Sequence, residues 1–318
     1  MTAAARVKPE IFFSPADWAA LVAKSRWRGL LLVAHCWAVI GLAMAVGIVW
    51  PMTIPLAVMV IGNRQLGLFV LMHEAAHGLL HPSRPVNDWV ARWFCGHELG
   101  VYRPYHLQHH RFVQQTEDPD LALSAPFPVS RASLRRKIIR DLSGQTFFKQ
   151  RVGPLQRQFE NRAAGVSVWP LVMAEAKNQR VFLWANAGAL ALFSVAGWGW
   201  AWVLMWWLPM ATWLPLVSRL RNIAEHALIV QNSTDPLRHA RTTHAGLLER
   251  VLIAPYWVNY HGEHHMFTQI PCWNLPTAHR LLAASGVTAR MEVQPGYARV
   301  LQLATAWRSR SDAEDVVN

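Results

Sequence analysis

The chain is 318 residues long, 53% hydrophobic and 16% charged, with 17 Trp and a formal net charge of +12. That mixture excludes a disordered chain and a small disulfide scaffold, and it is too oily for an ordinary soluble enzyme. The three Cys, at positions 36, 95 and 272, stand far apart, which excludes a CxxC metal ribbon, a thioredoxin pair and an iron–sulfur run, so any electrons the protein uses come from outside.

In chain order, residues 1–28 are polar, are interrupted by Pro9 and Pro15, and contain no short apolar stretch before a cleavage site. They read as a cytoplasmic amino-terminal segment without a removable signal peptide. Gly29 to Trp50 is uncharged and runs for about 22 residues, enough to cross a bilayer core of about 30 Å. After a turn at Pro51 to Pro55, a second crossing is expected at about 56–80, apolar except for Asn63, Arg64 and Gln65. A third and a fourth are expected at about 181–197 and 200–217, joined at Trp198 and Gly199 and bent by Pro209 and Pro215. The expectation is an all-α integral membrane protein: four transmembrane helices in two hairpins, with a helical cap on the cytoplasmic side.

Charge position supports that orientation. Every Lys and Arg except Arg64 falls in 1–28, 81–180 or 219–318, which two hairpins place on one face. By the positive-inside bias that face is cytoplasmic, so the site belongs there, in the inner membrane if the cell is bacterial. The positive charge then reflects topology and attraction to anionic membrane lipids, and no nucleic acid is expected as a partner. Arg131 to Phe148 sets Leu134, Ile138 and Leu142 at helical spacing among Arg131, Arg135, Arg136, Lys137 and Arg140, as in a helix lying on a membrane or water surface. Three segments follow: a cytoplasmic one at 1–28, the membrane domain at 29–282, and a cytoplasmic carboxyl-terminal segment at 283–318 whose end, from Arg308, is polar and frayed.

The 15 His are informative through their spacing. His73 and His77 (HEAAH) are four apart, and so share a helix face. His106, His109 and His110 (HLQHH) are matched by His261, His264 and His265 (HGEHH), and Asn222 and His226 (NIAEH) are again four apart. In each triplet the adjacent pair diverges by about 100°, so one triplet can serve two metal ions. Nine imidazoles gathered together would repel if charged and be unsatisfied if neutral, so the pattern makes sense as metal ligation. Imidazole suits Fe, Cu or Zn, and the number of ligands favours two irons over one zinc. HEAAH alone also fits a membrane zinc metalloprotease with Glu74 as base, but such a site leaves the other patterned His without work. A His-rich metal transporter would instead distribute its ligands along the crossings.

With these boxes in view, the sequence resembles the integral-membrane fatty acid desaturase superfamily, which includes hydroxylases and ketolases. The resemblance runs from about Gly62 to Leu282 through HEAAH, YRPYHLQHH with TEDPD, RNIAEH and NYHGEHHMFTQIPCWNLPTAHRLL. It implies that His73, His77, His106, His109, His110, His226, His261, His264 and His265 ligate a non-heme di-iron centre, which Asn222 approaches. It implies an O2-dependent enzyme that places a C=C bond in a fatty acyl chain, or hydroxylates a lipid or other alkyl chain. The HPGG of a fused cytochrome b5 is absent from the sequence, so ferredoxin, rubredoxin or cytochrome b5, with its reductase, is expected to deliver electrons.

His35, His81, His97, His239, His244 and His279 fit no box and are expected in structural or supporting roles, His35 within a crossing. Glu74, Glu225 and Glu263 adjoin box His and are candidates to orient a ligand ring, as are Asp118 and Asp120 for the second box. Arg64 and Gln65 are expected to bond between helices, with a channel role open to them. Among Trp198, Trp200, Trp202, Trp206, Trp207 and Trp213, an outer aromatic belt is expected, its deeper members lining an acyl tunnel.

Overall fold

Apolar length determines the frame of the molecule. In the computed structural model, which describes residues 7–306 apart from 97–98, 125, 162–166 and 234, α1 is Pro15–Leu21, α2 is Arg28–Val49 and α3 is Ile54–Ala76. α2 and α3 lie antiparallel, and Gly29 allows the contact: a Cβ there would stand 2.0 Å from the Leu80 carbonyl oxygen. The crossing expected to reach position 80 ends at Ala76, because Gly78 adopts a left-handed φ of 72° that closes the helix.

Next come α4 (Arg84–Phe94), α5 (Leu99–Phe112), α6 (Leu121–Ser124), α7 (Arg131–Leu142), α8 (Gln145–Glu160), α9 (Trp169–Asn178) and α10 (Arg180–Val195). A further helical run spans Gly199–His226. It comprises α11 (Gly199–Trp202), a π-helical stretch at Val203–Trp207, α12 (Leu208–Ala211) and α13 (Trp213–His226). Pro209 has no N–H to return to Met205, which accounts for the irregularity where a bend was expected. The last part holds α14 (Leu247–Leu252), α15 (His261–Met266), α16 (Leu275–Ala284) and α17 (Tyr297–Ala304). Two short parallel strands, β1 (Arg241–Thr243) and β2 (Glu292–Gln294), tie it together.

Among the described residues three helices are long and apolar enough to cross a membrane: Arg28–Val49, Pro51–Ala76 and Gly199–His226. The third crossing expected from the sequence corresponds to α10, an apolar helix of 16 residues, shorter than those three. The fourth continues beyond position 217 to His226. The single surface helix expected over 131–148 is two helices, separated at Gly144 in a left-handed conformation (φ 79°). α7 is also no free surface helix, since buried Asp141 accepts from Arg219 Nε at 2.5 Å and Nη2 at 2.8 Å, docking it on α13. His97 and the tail from Arg308 lie outside the described residues.

One apolar core joins α2, α3 and the Gly199–His226 run, and a second, around Phe267, Ile270 and Leu282, supports α15 and α16. The box His stand at the end of the long helices, between these two cores.

Candidate metal centre

Four separate elements deliver the nine His. α3 brings His73 in its last turn and His77 as its C-terminal cap. α5 carries His106, His109 and His110, α13 ends at His226, and α15 carries His261, His264 and His265. They assemble into two groups. His73, His77, His106, His110 and His264 form one, and His109, His226, His261 and His265 the other; within each group the candidate ligand atoms all lie within 4.8 Å of one another. The adjacent pairs His109–His110 and His264–His265 are each divided between the groups, as their divergence around a helix requires.

The contacts fit a shared cation. Nε2 atoms approach at 2.9 Å for His77–His106, 3.0 Å for His106–His110 and 3.1 Å for His110–His264. In the other group they approach at 2.9 Å for His226–His261 and 3.0 Å for His261–His265. One imidazole nitrogen has one in-plane direction, yet Nε2 of His106, His110 and His261 each faces two others, which N–H donation cannot satisfy well. An ion held in each group would take these nitrogens as ligands and so satisfy them together. Buried His73 Nε2 also has no hydrogen-bond partner among the described residues. Both groups could hold a metal ion of the kind imidazole suits, iron, copper and zinc among them.

Electrostatics keep these rings in the form a metal needs. Burial, with help from Arg103, pushes His77 down to about 4. Burial first, and neighbouring imidazoles second, hold His106, His110, His264 and His265 well below the ordinary His value, and His261 likewise. These six rings are therefore neutral near pH 7, ready to ligate.

The carboxylates divide. Asp118 Oδ1 lies 2.8 Å from His109 Nδ1, as expected of a ring-orienting partner. Asp120 stands off at 3.8 Å and accepts instead from Tyr105 Oη at 2.5 Å. The three Glu have their shortest contacts with groups outside the boxes. Glu74 accepts from the Cys272 amide at 2.8 Å and is 3.6 Å from His73 Nδ1. Glu225 pairs with Arg221 at 2.7 Å. Glu263 accepts from Thr242 Oγ1 and, at 2.6 Å, from His279 Nδ1. Each fastens a box to the scaffold, and Glu74 and Glu225 also stand 3.6 Å from His73 Nδ1 and 3.5 Å from His261 Nε2. Glu74 is 1% exposed and engaged there, and His73 and His77 share their group with three further His, an arrangement unlike a zinc-protease site.

Of the unboxed His, His35 Nδ1 meets Tyr256 Oη at 3.0 Å, His81 Nδ1 accepts from the Ser83 amide at 3.0 Å, and His239 Nε2 donates to the Ser233 carbonyl at 2.9 Å. His244 stacks edge-on to His279. Sequence reasoning missed Arg103, which donates to the Ala75 and Ala76 carbonyls at the end of α3 while paired with Asp88 at 2.6 Å. It also missed Gln114, whose amide reaches the His226 carbonyl at 3.2 Å from a left-handed backbone (φ 59°). Neither carries a spacing signal.

Two cavities are lined by residues one helical turn before a box His, Phe69 and Asn222 among them, and by none of the nine box His. An apolar chamber of about 290 Å³ is lined by Gln65, Leu68, Phe69, Phe182, Trp202 and Trp206 among others. A more polar cavity of about 460 Å³ includes Thr146, Arg219 and Asn222, and both share Phe69, Arg151, Met210 and Leu214. Asn222 thus lines a cavity wall one turn before His226. Phe69 is one turn below His73. Trp198 and Trp200 are 47% and 45% exposed, whereas Trp202 and Trp206 are 5% and 7%, which matches an outer belt with deeper members facing a cavity.

Residues 48–294 match the model of the fatty acid desaturase family. The chain is 26% identical over 273 residues to dihydrorhizobitoxine desaturase of Bradyrhizobium elkanii, covering 80% of this chain and 71% of that protein. It is 25% identical over 268 residues to β-carotene ketolase of Paracoccus sp. strain N81106, covering 82% of this chain and 87% of that protein. A second β-carotene ketolase, from Paracoccus sp. strain PC1, is 25% identical over 217 residues, or 66% of this chain and 73% of that one.

Proposed function

The chain belongs to the fatty acid desaturase family, and from that premise we propose that it is an O2-dependent, non-heme di-iron membrane oxidoreductase that forms a C=C bond in an alkyl chain, a fatty acyl lipid or fatty acid in the first instance. The observation that carries this is the division of nine His into groups of five and four with Nε2 atoms about 3 Å apart. Unactivated C–H bonds offer no acid to deprotonate and no carbonyl to polarise, so two irons, when bound, supply the oxidising chemistry.

The balance is that one CH2–CH2 unit, O2, two electrons and two protons give CH=CH and two waters. Ferredoxin, rubredoxin or cytochrome b5 supplies the electrons. In this reading His73, His77, His106, His110 and His264 hold one iron and His109, His226, His261 and His265 the other, with Asn222 beside the second. Asp118 fixes the His109 ring, and the two cavities hold the chain so that the carbons to be oxidised rest between Phe69 and Asn222. The protein is multi-pass, with the centre on the cytoplasmic face, where nearly all basic residues gather.

Similarity to the ketolases favours a second reading, insertion of oxygen into a C–H bond on the same core. The experiment is the lipid profile of a host expressing wild type or His264→Ala. Products lighter by two hydrogens, absent from the variant, support desaturation; products heavier by one oxygen support hydroxylation instead. No new product from an iron-loaded chain with a working donor would count against an acyl-lipid substrate.

A further inference from the structure

Asn63 and Arg64, polar residues inside the Pro51–Ala76 run that is long and apolar enough to cross a membrane, both donate to a backbone. Asn63 Nδ2 reaches the Arg250 carbonyl at 3.4 Å and the Val251 carbonyl, and Arg64 Nη2 reaches the Arg250 carbonyl at 3.4 Å. These carbonyls lie in the last turn of α14, where a helix leaves its C=O groups without partners of its own. Hydrocarbon offers them no water, so donors set into a membrane-crossing helix are what such a turn needs. Asn63 precedes His73 by ten residues, about 15 Å along α3. α14 is thus fastened beside the apolar run, well away from the box His.

The chain goes out to this level and returns. The Thr243 amide donates to the Asn259 carbonyl and Asn259 Nδ2 to the Thr243 carbonyl, both at 3.0 Å, which closes the neck of a loop over 244–258, and α15 begins two residues later at His261. Glu249 is tied inward, accepting from the Gly246 amide at 2.6 Å and the Tyr297 amide at 3.4 Å. Leu247, Leu248 and Val251 turn outward, 79%, 74% and 40% exposed, within about 100° of one another around the helix. Arg250 is exposed beside them, its Nε on the Ala245 carbonyl at 3.1 Å. Leu56, seven residues before Asn63 and so on the same face of α3, is 59% exposed. The outward face of α14 therefore continues the face that α3 turns to lipid.

We propose that residues 244–258 form a re-entrant loop that dips α14 into the bilayer leaflet nearest the metal centre, with Leu247, Leu248 and Val251 among phospholipid acyl chains. A loop standing in water would need neither Asn63 nor Arg64, because water itself serves free carbonyls. Two adjacent Leu next to lipid-facing Leu56 gain by burial in the same hydrocarbon. Arg250 has a stem long enough to carry its guanidinium back to the headgroup phosphates. Since the neck leads directly into α15, the anchored loop fixes the height of His261, His264 and His265 over the membrane.

The test is a nitroxide label on Leu248→Cys of the full chain in phosphatidylcholine nanodiscs, with its accessibility to O2, which concentrates in lipid, and to a water-soluble nickel chelate read by power-saturation spectroscopy. The native Cys36, Cys95 and Cys272 are buried, and labelled wild type supplies the background to subtract. Leu42→Cys, on the 66% exposed position of α2, is the lipid reference. At position 248 the O2 effect is expected to exceed the chelate effect, as at position 42. A chelate effect larger than the O2 effect at 248 places the loop in water and overturns the proposal. So does shielding from both reagents, the result if a protein partner or a second copy covers the face. A water-like reading at position 42 would overturn the crossing on which the proposal stands, which separates that failure from failure of the loop alone.

Discussion

His109 Nδ1 stands 2.8 Å from Asp118 Oδ1, with both residues buried. A carboxylate can only accept, so Nδ1 carries the proton and Nε2 is left to face the cluster. Asp118 is itself held by the Gln114 and Asp120 amides, each at 2.9 Å. Asp118→Ala should therefore weaken metal retention about 10- to 100-fold, measured by chelator competition on purified protein. Asp118→Asn should fall between, and unchanged affinity in both would show that this bond does not tune the site.

Protonation provides a second check. Because burial holds His77 at about 4 against an ordinary value of 6.5, the unfolded chain takes up protons before the folded one. The metal-free protein should keep its full stability above about pH 6.5 and lose it as pH falls towards about 4. His106, His110, His261, His264 and His265 shift in the same direction and steepen the loss. Thermal unfolding in detergent at pH 7.5, 6 and 5, as chosen values, should give falling midpoints; a midpoint that rises on acidification contradicts the assignment of neutral rings.

The Asp141–Arg219 pair makes a third prediction. Asp141 is fully buried and receives two charge-assisted bonds, so Arg219→Ala should cost about 2 to 3 kcal/mol. The measurement is the denaturation midpoint, and Asp141→Ala in the same background should add little, since the two act as one unit.

A backbone contact makes the fourth. A methyl at position 29 would overlap the Leu80 carbonyl, which cannot rotate away. Gly29→Ala should force α2 from the turn after α3, costing about 1 to 3 kcal/mol in the same assay. Gly41→Ala, where a Cβ meets open space, should be close to neutral.

Much of the site was legible because ligand spacing is a local property. Offsets of four put His106 with His110 and His261 with His265 on one side of a helix whatever the tertiary fold, and the divergence of His109 from His110 foretold two groups. Roles that depend on contacts between distant segments were not legible. Whether Glu263 faces a box ring or His279 depends on where α16 packs, 16 residues later. The Arg103 and Gln114 bonds close loops onto α3 and α13 in the same way. Among the helices, the uninterrupted spacing of Leu134, Ile138 and Leu142 suggested continuation, whereas Ser143 and Gly144 end the helix. Residues 181–197 had the composition of a crossing, but α10 is 16 residues long.

The most direct test of the central claim, that the nine His form two adjacent metal sites, is the metal content of the purified chain by mass spectrometry. Wild type expressed with iron should carry two Fe per chain, by the division of ligands. His264→Ala, from the group of five, and His261→Ala, from the group of four, should each lower that content. A single Zn per chain, or iron content indifferent to both substitutions, would contradict the account.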